Sequence, residues 1–161
     1  MVKKLKLYLE TTIPNYLLAE DVPREKEITE IFFQEIEHGQ HDVFISTAVR
    51  DEIERTSDAE KKKKLLATLE DIPLLEVTES DRVLANMYVS LGIIPRRYWP
   101  DALHIAIATH NEMDVLVTWN MEHLANPETR IKVREENEKR KLKVIDLATP
   151  EEVMLSGRSI I

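Results

Sequence analysis

Two rhythms of apolar residues alternate along this chain, one with a period of two and one with a period near 3.6. Leu5, Leu7 and Leu9 fall on every second residue, the spacing of a strand, and the strand ends at Glu10-Thr11-Thr12. A short helix is expected over residues 13–19, with Thr12 as its N-cap and Pro14 in its first turn. Ile28, Ile31, Phe32 and Ile36 then carry a helical stripe through residues 23–38, and Gly39 is a fitting stop. Val43-Phe44-Ile45 is a short continuous apolar run, suited to a strand buried on both faces. Ser46 or Thr47 can cap the next helix, which runs through Val49, Ile53 and Thr56.

The same alternation continues to the end of the chain. Residues 58–71 read as a helix, polar over Lys61-Lys62-Lys63-Lys64 and apolar at Leu65, Leu66 and Leu69. The lysine run reads as a solvated helix face. A strand at residues 74–77 precedes Thr78-x-x-Asp81, a capping-box spacing, and a helix through Leu84, Met87, Tyr88 and Leu91 that Gly92 ends. Residues 93–100 read as a loop, residues 102–111 as a strongly apolar helix opened by Pro100-Asp101, and Val115-Leu116-Val117 as a third buried strand. A charged helix over 127–141, a last strand at Lys143-Val144-Ile145 and a short helix from Thr149-Pro150 complete the chain. Strands alternating with helices predict a single α/β domain over residues 1–161, a three-layer α/β/α sandwich around a mainly parallel sheet.

Composition narrows the possibilities. With 161 residues, 43% of them hydrophobic, the chain is the size of one domain and can bury a core. It contains no cysteine, so neither a disulfide framework nor a thiolate metal site is available, which suits a cytoplasmic setting. The apolar stretch at residues 5–9 is too short for a signal peptide, and no run approaches the roughly 18 apolar residues of a membrane span. A net charge of −8 argues against a general nucleic-acid coat. It is compatible with an enzyme that meets phosphates through a bound cation.

In an open parallel sheet, ligands bind beyond the carboxyl ends of the strands. Glu10 closes the first strand, and Thr118 and Asn120 lie just beyond the third. Glu52 is on the helix after Val43–Ile45, and Asp101 opens a helix. Carboxylates gathered on one rim repel one another and raise one another's pKa unless a cation neutralises them. Hard ions such as Mg²⁺ or Mn²⁺ prefer oxygen ligands. Because 30 of the 161 residues are acidic, acids near a sheet edge are by themselves weak evidence.

Four segments taken together are more specific. Tyr8-Leu9-Glu10-Thr11-Thr12-Ile13-Pro14-Asn15-Tyr16-Leu17 resembles the opening motif of PIN domains, an acid at a strand end followed by a hydroxyl residue. Ile45-Ser46-Thr47-Ala48-Val49-Arg50-Asp51-Glu52-Ile53 resembles the second motif, Asp101-Ala102-Leu103-His104-Ile105-Ala106-Ile107-Ala108 the third, and Thr118-Trp119-Asn120-Met121-Glu122-His123-Leu124 the fourth. Their order and separations match over about residues 5–145. The resemblance implies a ribonuclease dependent on Mg²⁺ or Mn²⁺ that leaves a 5′-phosphate and a 3′-hydroxyl. It also implies the toxin half of a VapC-type toxin–antitoxin pair, with an antitoxin partner and a homodimeric habit. Carried over by position, Glu10, Glu52 and Asp101 are metal ligands, Asn120 is the fourth catalytic residue, and Thr12 and Thr118 orient ligands or water.

The chain departs from the family pattern at two positions. Glu10 stands where Asp is usual, and Asn120 stands where Asp is frequent. Asn120 brings no charge, which weakens cation binding. A PIN-like domain with a weak or inactive site, acting as a protein- or RNA-binding module, is therefore the alternative. His104 lies on the face of Asp101 and reads either as a contact to substrate or as a packing residue. Arg96, Arg97 and the basic residues between Arg130 and Lys143 are candidates for phosphate contacts, though the latter helix reads as a solvated face. Trp99 and Trp119 are candidates for base stacking or core packing. A phosphoacceptor receiver is excluded by pattern, because Glu10 lacks a second acid and Val43–Ile45 ends in Ser46.

Overall fold

β1 (Lys6–Leu9) runs through the middle of a five-stranded sheet in which every pairing is parallel. The computed structural model describes residues 4–159, with the side chains of residues 4–155. The other strands are β2 (Asp42–Ser46), β3 (Leu74–Leu75), β4 (Val115–Val117) and β5 (Asp146–Ala148), in the order β3-β2-β1-β4-β5. Leu7 stands level with both Val43 and Val115. Leu7, Tyr8 and Leu9 are wholly buried, as a central strand covered on both faces must be. Burying each leucine contributes about 2 kcal/mol.

The crossovers carry eight helices among the described residues: α1 (Thr12–Tyr16), α2 (Pro23–Glu37), α3 (Thr47–Glu54), α4 (Ala59–Leu69), α5 (Glu79–Ser90), α6 (Trp99–His110), α7 (Pro127–Lys139) and α8 (Pro150–Ser159). The chain winds outward from β1 to β3, then crosses back over β1 to β4 and β5. Right-handed crossovers therefore put α1–α4 on one face and α5–α7 on the other. A buried cluster of Tyr88 on α5, Thr109 on α6 and Asn137 on α7 ties the second layer together, and α8 packs back against α2. Gly39 and Gly92 follow the ends of α2 and α5 at φ +76° and +75°, the left-handed geometry of a helix stop. No helix among the described residues is long and apolar enough to cross a membrane.

Several boundaries differ from the sequence reading for identifiable reasons. The last strand is Asp146–Ala148, not Lys143–Ile145. Ile145 does reach the core, but Val144 is exposed, and the residues level with Val115–Val117 are Asp146, Leu147 and Ala148. Arg130 holds this register from α7 by bonding both Asp146 oxygens at 3.1 Å. α1 stops at Tyr16, and its N-cap is Thr11 instead of Thr12. α6 begins at Trp99, after a 3₁₀ turn at Arg96–Tyr98, inside the segment expected to be a loop. In β2, Ile45 and Ser46 are buried while Val43 and Phe44 are only partly covered. The box of Thr78 and Asp81 caps α5.

Candidate active site

The order of strands reverses at β1, and a crevice at the carboxyl edge is the geometric consequence. Glu10 follows β1 and is 4% exposed. Its Oε1 accepts from the Thr12 hydroxyl at 2.6 Å, the Thr118 hydroxyl at 2.7 Å and the Thr12 amide at 3.2 Å. The Thr12 hydroxyl also accepts from the Trp119 amide, and Thr118 from the Asn120 amide. Two threonines thus bind the end of β1 to the loop after β4. This explains why Thr12 does not cap α1: its oxygen is already used.

Glu52 comes from α3 and is held differently. Its Oε1 lies 2.6 Å from His104 Nε2, and His104 Nδ1 lies 2.6 Å from the Tyr8 hydroxyl, which in turn is 2.7 Å from Ser46 Oγ. His104, Tyr8 and Ser46 are all buried. Burial pushes the Glu52 carboxyl upward, but the hydrogen bond and charge of His104 outweigh it and hold the group below its ordinary value. Burial pushes His104 down, and Glu52 more than reverses this, with further help from Glu10 and Asp101, so its pKa is raised. The relay suits either state of the ring. An imidazolium donates to Tyr8, whose hydroxyl donates onward to Ser46; a neutral ring accepts from Tyr8, which then accepts from Ser46.

Asp101 stands in the first turn of α6, where the helix dipole favours an acid. Its Oδ2 is 3.3 Å from His123 Nδ1 and 3.4 Å from the Asn120 side-chain nitrogen. The Asn120 amide oxygen is committed elsewhere, accepting from the His123 backbone N–H at 3.0 Å, so it is the amide nitrogen that faces Asp101. His123 in turn packs on Tyr98 with ring centroids 3.7 Å apart. Burial first, and then the charges of Glu10 and Glu52, push the Asp101 carboxyl up to about 6, against the opposing pull of His104 and His123.

Glu10 and Asp101 take their hydrogen bonds on one oxygen, Oε1 and Oδ2, and their second oxygens have no protein donor among the described residues, while Glu52 is met by both His104 and the Thr11 hydroxyl. No three acidic or histidine side chains among those residues close into a ready-made ion cage. Beside Glu52 lies the buried Thr11 hydroxyl, which has no other hydrogen-bond partner and helps to hold that carboxyl down. A groove of about 400 Å³ leads away from Glu52 between α3, α5 and the start of α6.

Sequence reasoning passed over Tyr8 and His123. Tyr8 stood inside a quoted motif without a role; the usable signal was that a tyrosine sealed in a parallel strand needs a partner for its hydroxyl. His123 was within a quoted motif, but its pairing with Asp101 becomes visible only when β4 and α6 are placed. Of the tryptophans, Trp119 is buried, stacked on Tyr16 and bonded to Thr29, so it belongs to the core. Arg130 is paired with Asp146 and Glu152.

Fold and site together define a class: a parallel three-layer α/β domain with carboxylates gathered at the switch point of its sheet. No family model matches the chain, and no curated protein matches it in sequence. A solved structure does match: a chain of VapBC2 from Rickettsia felis, crystallised bound to a DNA fragment from their promoter. It has a TM-score of 0.56 over 90% of this chain and 98% of that one, at 16% identity. At that identity the likeness is one of fold.

Proposed function

We propose that this protein is an endoribonuclease that hydrolyses RNA phosphodiester bonds with a divalent cation, Mg²⁺ or Mn²⁺, and that it is the toxin half of a toxin–antitoxin pair. The observation that carries the proposal is that Glu10, Glu52 and Asp101 come from three separate elements and are tied to one site through Thr118, His104 and Asn120. Burial and the two neighbouring acids push the Asp101 carboxyl up to about 6, in line with a site that a bound cation would relieve. The donor set is all oxygen, which suits a hard ion, and Glu10, Glu52 and Asp101 would hold it. When bound, such an ion polarises a phosphoryl oxygen and lowers the pKa of a water.

The chain's own residues do the rest. Thr12 and Thr118 fix Glu10, His104 fixes Glu52, and Asn120 and His123 flank Asp101. Water attacks phosphorus in line, the bond to the 3′ oxygen breaks, and that oxygen leaves protonated, giving a 5′-phosphate and a 3′-hydroxyl. The toxin assignment draws on the fold shared with VapBC2 and on the four PIN-like motifs, and it brings an antitoxin as partner.

The test is Asp101→Asn. Metal-stimulated cleavage of RNA should fall by about a hundredfold to a thousandfold, the scale for losing a main electrostatic contributor, with an unchanged circular dichroism spectrum. Undiminished cleavage by this variant refutes the assignment. If the wild-type protein binds RNA but never cleaves it with Mg²⁺ or Mn²⁺ present, the alternative of a PIN-like binding module is the correct one.

A further inference from the structure

Beside the carboxylates, the groove next to Glu52 brings together side chains that the hydrolytic reading leaves unused. Arg55 on α3 and Arg82 on α5 line it from two helices, Trp99 lies at the start of α6, and Asp51 and Glu76 complete the polar wall. Arg55 has no ion pair among the described residues. Arg82 has only a 3.6 Å contact with Glu79 in which both side chains are well exposed, a pair of little strength. Both guanidinium groups are therefore available to an anion.

Trp99 is the counterpart of the buried Trp119. It is half-buried, its indole N–H is fixed by Asn86 Oδ1 at 2.7 Å, and no aromatic ring among the described residues packs on it. A fixed, partly exposed indole beside two arginines is what an unpaired nucleotide needs: a face for the base and charge for the phosphate. A base within a duplex is already stacked and cannot offer its face. The groove's volume, about 400 Å³, falls within the range of small-ligand sites.

We infer that this groove is a subsite for one unpaired nucleotide adjoining the scissile phosphate, with its phosphate on Arg55 and Arg82 and its base on Trp99, selecting a base that carries an exocyclic amine. The selection follows from the wall. Asp51 and Glu76 offer only acceptors, which bond the amines of cytosine or adenine and repel the carbonyl edge of uracil. The inference rests on the ribonuclease reading and gives its substrate as single-stranded RNA.

The experiment is a fluorescence titration of the full-length protein without divalent ions, using cytidine 5′-monophosphate, uridine 5′-monophosphate and inorganic phosphate. Trp119 is 7% exposed and lines a separate groove beside Arg24, so the loss of quenching in Trp99→Leu is what assigns the signal to Trp99. Cytidine monophosphate should quench, uridine monophosphate should bind several-fold more weakly, and phosphate alone should not quench. The Arg55→Ala/Arg82→Ala double variant should weaken cytidine monophosphate binding at least tenfold. It should also raise KM for single-stranded RNA with kcat nearly unchanged, and reduce the salt slope of RNA binding by about 2. Trp99→Leu should abolish quenching, and Trp99→Phe should restore affinity for RNA.

Absence of quenching, or full binding by the double variant, overturns the subsite. Equal affinity for the two nucleotides overturns the base selection. RNA cleavage that is indifferent to all these substitutions removes the subsite and leaves the nuclease standing. Nucleotide binding that depends on them, in a protein that never cleaves RNA, does the reverse.

Discussion

Helix α6 carries two carboxylate–histidine pairs, one midway along it at His104 and one at its last residue, His110, and the two are inverted copies of one another. At the carboxyl edge of the sheet His104 meets Glu52 of α3 at 2.6 Å; at the far end His110 meets Asp81 of α5 at the same distance. In the first pair the histidine side chain is 1% exposed and the acid 30%; in the second the acid is 2% exposed and the histidine 30%. The inversion assigns the roles. A buried imidazole supporting an open carboxylate leaves that acid, 30% exposed, free to meet a ligand. A buried carboxylate under an open imidazole has no such freedom. Asp81 uses its other oxygen on the Thr78 amide and completes a helix cap. Equal bond lengths therefore say little about function; the side on which the pair opens says more.

The largest effect separating the two ends should come from Glu52→Gln. It keeps an acceptor for His104 but removes the charge at the open position. Cleavage should fall by roughly a thousandfold, while stability in urea changes by less than about 1 kcal/mol, as expected for a partly exposed, still bonded group. Asp81→Ala should do the opposite. It strips the cap of α5 and unpairs His110, so unfolding should become easier by about 3 kcal/mol, with cleavage per folded molecule unchanged. If Asp81→Ala removes activity at full stability, the contrast between the two ends is wrong.

Asp101 gives a sharper version through pH. Its folded pKa, about 6, lies above the ordinary 3.8, so between those values the folded chain holds a proton that the unfolded chain has released. Stability therefore falls as pH rises through that window, and above it the full penalty is in place, about 2 kcal/mol after allowing for partial exposure. Asp101→Asn should be more stable than wild type by that amount at pH 7.5 and equal to it near pH 3.5, measured by urea unfolding without divalent ions. Mn²⁺ should raise the melting temperature of the wild type and not of the variant. A variant no more stable than wild type at pH 7.5 would mean that neither burial nor the charges of Glu10 and Glu52 burden Asp101.

How much of this was legible in the chain depended on how local the cause was. The period of Leu5, Leu7 and Leu9, the capping spacing of Thr78 and Asp81 and the stops at Gly39 and Gly92 are set by neighbours in sequence, and their elements stand where those signals lie. The last strand was displaced because Lys143-Val144-Ile145 has the better strand composition, whereas the ladder is decided by what lies level with Val115–Val117. The four motifs supplied Glu10, Glu52 and Asp101 as candidates, and the structure brings their charges within reach of one another. The grip on each acid was beyond reading. That Thr118 reaches Glu10 across 108 residues, that Tyr8 holds His104 across 96 and that His123, in the loop after β4, faces Asp101 are contacts between separate elements, and no local pattern encodes them.

The smallest effect belongs to the cap itself and tests whether the far end of α6 is as structural as the burial pattern makes it. Thr78→Ala removes the hydroxyl that accepts from the Asp81 amide at 3.2 Å but leaves the reverse bond, from the Thr78 amide to Asp81 Oδ2 at 2.9 Å. Half of a capping box is lost, and an N-cap substitution of this kind costs about 1 kcal/mol. The loss should appear in urea unfolding, and combining it with Asp81→Ala should add less than the sum of the two, because both act on one box. RNA cleavage should be unaffected. Strict additivity would show that Thr78 and Asp81 stabilise α5 independently, and that Asp81 is buried chiefly to serve His110.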